Sequence, residues 1–218
     1  MTYTLHSMWR ATAPYRVRIG LNLKGLTYDY VAVDLVGGEQ RSQSYKGGVN
    51  PQGLVPALDV LADRALTQSL AILEWLEETH PQPPLLPTGP LDRAAVRAMA
   101  EIVACDIHPL NNLRVLQAIE ALGVANGSDA QRAWTARWMT AGFDALEPMI
   151  QRYGRGFAFG DAPGLADCCL VPQLYSAERF GVDLAPYPAI RAVGERAAGH
   201  PAFEAAHPNH QPDAPKAS

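Results

Sequence analysis

The stretch Pro81–Pro90, "PQPPLLPTGP", decides how the chain divides. It holds five prolines and a glycine, and because each proline fixes φ and lacks an N–H, no helix or central strand runs through it. It reads as a linker. Upstream, Tyr3–Ser7 reads as a strand, Pro14 suits the first turn of a helix, and Val17, Leu21 and Lys24 carry that helix to a stop at Gly25. "YDYVAVDLV" (28–36) alternates as a second strand, "GLVPALDVL" (53–61) is a third broken by Pro56, and Ala65–Leu66 a short fourth. "QSLAILEWLEETH" (68–80) sets Leu70, Leu73 and Leu76 on one helical face, with Ser69 as a natural cap. Downstream of Leu91, long Ala- and Leu-rich patterns are broken only by turn signals at 123–127, 153–156 and 185–188.

The expected fold class is α/β plus all-α: a thioredoxin-like domain over 1–84 in the order β-α-β then β-β-α, a proline-rich linker over 85–90, and a helical domain over 91–218. The closing "PNHQPDAPKAS" has the composition of a solvated, poorly ordered end. With 48% hydrophobic and 18% charged residues, the 218-residue chain can bury a large core. A net charge of −4 gives no general attraction to nucleic acid or anionic membranes. No apolar run approaches the roughly 18 residues of a membrane span. The start, "MTYTLHSMWR", lacks the layout of a secretory signal, so a cytoplasmic location is expected. Cys105, Cys168 and Cys169 form no CxxC pair or metal-ligand cluster and are expected to be reduced, with no metal site.

One further stretch carries the chemistry. "RATAPYRVRI" (10–19) places a hydroxyl and three arginines around a helix start in an acidic chain. Together with "NPQGLVPALDV", "IHPLNNLRVL", "ADCCLVPQLYSAERFGVDLAPYPAI" and "QPDAP", it resembles the glutathione transferases, and within them the zeta class, over most of the chain. The resemblance implies a glutathione-dependent cis-trans isomerase acting on a maleyl diketo acid, maleylpyruvate or maleylacetoacetate, in aromatic or tyrosine catabolism. It also implies a homodimer. A conjugated cis double bond rotates only after a nucleophile adds, giving an enolate that turns about a single bond and expels it. With no cysteine at the candidate site, glutathione would supply the thiolate, held at the positive end of a helix.

Family members carry a Ser-Ser-Cys-type sequence where this chain has Ala11, Thr12 and Ala13, so Thr12 is the candidate thiolate donor, the other reading being a turn hydroxyl. Arg10 and Arg179 match arginines that the resemblance assigns to substrate carboxylates and the enolate. Arg114 is weighed equally between surface and site, while Arg16 and Arg18 are expected to be solvated or ion-paired. Val55, before Pro56, resembles the residue whose backbone pairs with the cysteinyl part of glutathione. Gln68 and Ser69 suit the γ-glutamyl end, with Ser69 able to hold a carboxylate and cap the helix at once. Gln52 is a weaker candidate for the glycyl end. His108 and Asn112 stand where many members have glutamines and can donate to glutathione or a substrate oxygen; the "HPLNN" form tilts substrate choice toward maleylpyruvate. Asp167 resembles a buried helix-capping aspartate, with Gly164 where the partner hydroxyl is usual, and is assigned to folding. Two other activities remain open: conjugation or dehalogenation of small α-halo acids, and glutathione binding without catalysis.

Overall fold

The structure is a computed structural model describing residues 2–61, 64–123 and 127–215. The chain forms two compact units, one of residues 1–85 with 198–218, the other of residues 86–197.

In the first unit, β1 (Tyr3–Ser7), α1 (Thr12–Leu23), β2 (Tyr28–Ala32), the short α2 (Gln43–Gly48), β3 (Ala57–Leu61), β4 (Arg64–Thr67) and α3 (Ser69–Thr79) follow the expected β-α-β then β-β-α order. The sheet order is β2-β1-β3-β4; β1 pairs parallel with β2 and antiparallel with β3, which pairs antiparallel with β4. β2 stops at Ala32, short of the nine residues expected, because Asp34 Oδ1 accepts from Val36 and Gly37 N–H and turns the chain. Leu5, Val17, Ile19, Leu21, Leu58, Ile72, Leu73 and Leu76 are fully buried, each contributing about 1.5 to 3 kcal/mol. Gly20 lets α1 approach α3, since a Cβ there would collide with the Leu73 side chain.

The proline-rich run begins anchored rather than loose. Buried Lys24 Nζ donates to Glu77 Oε2 and to the Pro83 carbonyl, both at 2.6 Å, and Leu85 N–H donates to the same Glu77 oxygen at 2.7 Å. Removing either charge strands the other, at a cost of about 3 to 5 kcal/mol.

The second unit is helical, as expected: α4 (Pro90–Glu101), continued by a wider turn at Ile102–Ile107 and a tight one at His108–Asn111, then α5 (Leu113–Ala121), α6 (Gly127–Tyr153), α7 (Leu165–Phe180) and α8 (Pro188–Ala198). Cys168 and Cys169 are buried in α7, while Cys105 is exposed. Asp167 Oδ1 accepts from Ala158 N–H at 2.7 Å and Oδ2 from Gly164 N–H at 2.9 Å, so one carboxylate closes the start of α7 without the usual hydroxyl. Burial pushes the Asp167 carboxyl up to about 6 against the pull of its N–H donors.

The last segment differs from its expectation. Residues 198–215 group with the first unit, not with the helical one. The helix α9 (Pro201–Ala206) packs on α1, where Asn22 Nδ2 donates to the Ala202 carbonyl. Gln211, expected in a solvated end, is 8% exposed and donates to the Ala205 and His207 carbonyls. Composition misled here because the prolines open short helical turns that histidines cap: His200 and His207 ring nitrogens accept from Ala202 and Asn209 N–H.

Candidate active site

In the first unit, the start of α1 is built without a side-chain cap. Ala11 is the N-cap residue, its own N–H donating to the Met8 carbonyl at 3.0 Å. Thr12 is the first helical residue and is buried; no acidic residue lies in the first turn, so the positive helix end keeps its attraction for an anion. Arg10 is half-buried with its guanidinium 5.4 Å from the centre of the Trp9 ring.

One turn beyond Thr12, on the same face, comes Arg16. Of the two states expected for Arg16 and Arg18, solvated or ion-paired, the solvated one is corrected: they are 2% and 0% exposed. Arg16 Nη1 donates to Ser69 Oγ at 3.2 Å, joining α1 to the start of α3. Arg18 donates through Nε to the Ala206 carbonyl, through Nη1 to Ser7 Oγ and through Nη2 to the Trp9 carbonyl. Sequence reading missed Arg16 as a site residue; the signal was its i+4 spacing from Thr12 on a helix whose next turn is wholly buried.

At α3 the cap is Gln68, with Ser69 just inside the helix, and neither the Gln68 side chain nor Ser69 closes the helix as a conventional cap. Gln68 has φ 69°, a conformation that costs of order 1 to 3 kcal/mol for a side chain of this kind and is kept where the surroundings require it. Its Nε2 donates to Gln52 Oε1 at 2.7 Å, so two residues expected to hold glutathione already meet.

The loop of Gln52 and Val55 is fixed by residues not singled out in the sequence. Asn50, 1% exposed, accepts from Gln52 N–H through Oδ1 and donates through Nδ2 to the Leu54 carbonyl, which also receives the Tyr45 hydroxyl. Gly53 has φ +64°, and a Cβ there would stand 2.9 Å from the Gln40 carbonyl oxygen. The Val55–Pro56 bond is cis.

The second unit carries the remaining candidates. Half-buried His108 opens the tight turn at 108–111. Asn112 has a structural task as the N-cap of α5, its Oδ1 accepting from Arg114 N–H at 3.1 Å, while the Arg114 side chain is exposed. Arg179, also exposed, lies in the last turn of α7 over the Tyr175 and Phe180 rings. Phe180 packs on the small apolar cluster of Leu116 and Ile119, which brings the end of α7 to the helix that begins beside Arg114.

Glutathione is a tripeptide with carboxylates at both ends, an α-amino group and a thiol. Uncapped α1 and α3 starts, a buried serine beside a buried arginine, and a glutamine pair fit those groups. Among the described residues no helix is long and apolar enough to cross a membrane, and no group of metal-ligating side chains comes together.

Family models of the glutathione S-transferase N-terminal and C-terminal domains match residues 13–84 and 132–205. The chain is 50% identical over 215 residues to a maleylacetoacetate isomerase of Pseudomonas aeruginosa, covering 98% of this chain and 99% of that one. It is 50% identical over 212 residues to a maleylpyruvate isomerase of a Ralstonia species, covering 96% and 98%. A solved maleylpyruvate isomerase, a bacterial zeta-class glutathione S-transferase, superposes with a TM-score of 0.93 at 48% identity, covering 97% of this chain and all of the other. A maleylacetoacetate isomerase of Anaeromyxobacter dehalogenans with glutathione in its active site superposes at 0.88 with 47% identity, covering 98% of each chain. The chain belongs to the glutathione S-transferase family, in its zeta class.

Proposed function

We infer that the protein is a glutathione-dependent isomerase converting a maleyl diketo acid, maleylpyruvate or maleylacetoacetate, to its fumaryl form. The observation that carries this is the group of Arg16, Ser69, Gln68 and Gln52, with Thr12 one helical turn before Arg16, in a chain half identical to enzymes of both names. When bound, glutathione supplies the thiolate whose reversible addition lets the substrate's double bond turn.

The chain's own residues do the rest. Ser69 Oγ and the first N–H groups of α3, with Arg16 behind them, hold the γ-glutamyl carboxylate; Gln68 accepts from the amino group, Gln52 serves the glycyl end and the Val55 backbone pairs with the cysteinyl residue. Thr12 O–H donates to sulfur at the positive end of α1, favouring thiolate over thiol. The substrate carboxylates and the charge that grows on its carbonyl oxygen fall to the arginine candidates Arg10 and Arg179, with Arg114 and His108 as further donors. Asn112 keeps Nδ2 for a ligand while its Oδ1 caps α5. The protein is further proposed to be a homodimer in the cytoplasm; light scattering reads the first directly, a 23.6 kDa particle counting against it.

The deciding experiment gives the protein a maleyl acid with glutathione and follows both. Isomerisation forms the fumaryl acid with total free thiol unchanged. Thiol consumed in step with product points instead to conjugation, and an unchanged substrate removes the isomerase reading.

A further inference from the structure

Trp9, which leads into α1, is gripped on both its backbone groups, by a residue of the helix itself and by one far away in sequence. Trp9 N–H donates to Asp213 Oδ2 at 3.0 Å, and the Trp9 carbonyl accepts from Arg18 Nη2 at 2.9 Å. Asp213 is itself held, since the Tyr30 hydroxyl of β2 donates to its Oδ1 at 2.7 Å. Arg18 is held too, with its other nitrogens on Ser7 and Ala206, so α9 and the segment after it close over the turn from Met8 to Ala11. Asp213 sits in a hydrogen-bonded turn: the Ala214 N–H returns to the Gln211 carbonyl, and the Gln211 side chain is tied to two carbonyls of α9 and its end.

This grip sits where the helix start lacks its usual fixture. A Ser, Thr, Asp or Asn at the N-cap would set the chain's approach by bonding a first-turn N–H, and Ala11 makes no such bond. Arg10 follows Trp9 directly and stacks on its ring, and Thr12 lies two residues further on. The orientation of the Trp9 peptide therefore passes to both side chains.

We propose that Asp213 is a positioning residue for the reaction: through Trp9 it sets the direction in which Arg10 and Thr12 meet glutathione and substrate. The proposal rests on the glutathione site inferred above. Asp213 touches neither ligand in this role. A misplacement of about 1 Å at reacting groups costs on the order of a hundredfold, so a bond that removes the freedom of one peptide has a large lever.

The test compares Asp213→Ala with Asp213→Asn in the full chain. Asparagine can keep a carbonyl oxygen on Trp9 N–H and turn its NH2 toward the Tyr30 oxygen, replacing the geometry without the charge. Asp213→Ala is expected to lower kcat roughly tenfold to a hundredfold and to raise the thiol pKa of bound glutathione by about one unit, while KM for glutathione moves less than about threefold because Ser69, Gln68 and Val55 are untouched. Asp213→Asn is expected to recover most of both losses. Tyr30→Phe frees only Oδ1 and keeps the test open should Asp213→Ala not fold; its expected shift is smaller and in the same direction. If the variants melt earlier yet leave kcat and the thiolate titration of bound glutathione unchanged, the proposal is overturned and the segment only stabilises the fold. Should the native protein turn over no maleyl acid, the isomerase reading fails alone, and the thiolate titration still decides the role of Asp213.

Discussion

Two helix starts in this chain are built in opposite ways. At α7 a buried carboxylate three residues inside the helix accepts two backbone N–H groups, and the end is sealed from within. At α1 an alanine stands at the cap, the first turn has no acidic residue, and the approach is held from outside that turn, by Asp213 from the segment after α9 and by Arg18 from the helix's own second turn. A sealed start spends its positive end on its own carboxylate and serves the fold. An end held from outside keeps that positive charge for a ligand.

Asp167→Ala tests the sealed end and has the largest expected effect. It leaves unpaired the Gly164 N–H at the start of α7 and the Ala158 N–H in the loop before it, a loss of about 2 to 5 kcal/mol, with lower yield and melting temperature but unchanged kcat for the molecules that fold. A fall in kcat at unchanged stability would erase the contrast. At the other end, Arg10→Ala and Arg179→Ala are each expected to raise KM for the maleyl acid by about 1.5 to 3 kcal/mol, roughly tenfold to a hundredfold, with a smaller fall in kcat. Steady-state kinetics at saturating glutathione measure this.

Thr12→Ala sharpens the comparison because Ala11, not Thr12, occupies the cap. It is expected to leave stability within about 0.5 kcal/mol, raise the thiol pKa of bound glutathione by about one unit and lower kcat at neutral pH. An unchanged titration would assign the thiolate to the backbone N–H groups alone. The smallest effect concerns pH. Burial raises the Asp167 pKa from 3.8 to about 6, so between those values the folded state binds more protons than the unfolded one. The contribution of this group to stability is therefore greatest at low pH, falls as pH rises through that window, and is level above it. The stability of the native protein relative to Asp167→Asn should be larger at pH 4 than at pH 7; a difference that does not change with pH would break the assignment.

The order of elements was legible because period-2 and period-3.6 patterns and a five-proline run are local signals. The start of α3 at Gln68 and Ser69 and the capping role of Asp167 were legible through motifs that stay together in sequence. What escaped reading depends on distant partners. Nothing near Arg16 announces Ser69, fifty-three residues on, and nothing near Asp213 announces Trp9. Burial of the two helical arginines was hidden for the same reason, since their acceptors are a serine on another helix and carbonyls of an irregular turn and of α9. Thr12 and Asn112 show a further ambiguity: a short polar side chain at a helix start reads alike whether it closes the helix or serves a ligand.

The first unit is discontinuous, and that bears on how the protein is made. Residues 1–85 emerge from the ribosome first, yet the segment that clasps Trp9 follows only after all of residues 86–197. At typical rates of synthesis the sheet and its two main helices wait for roughly ten seconds with the turn before α1 unclasped. During that interval Arg18 lacks the Ala206 carbonyl, and Asn22 the Ala202 carbonyl, so the growing domain exposes the surface of α1 that α9 later covers. Translation thus delivers the helix that covers this surface, and the carboxylate that fixes its leading turn, in one late stretch of chain.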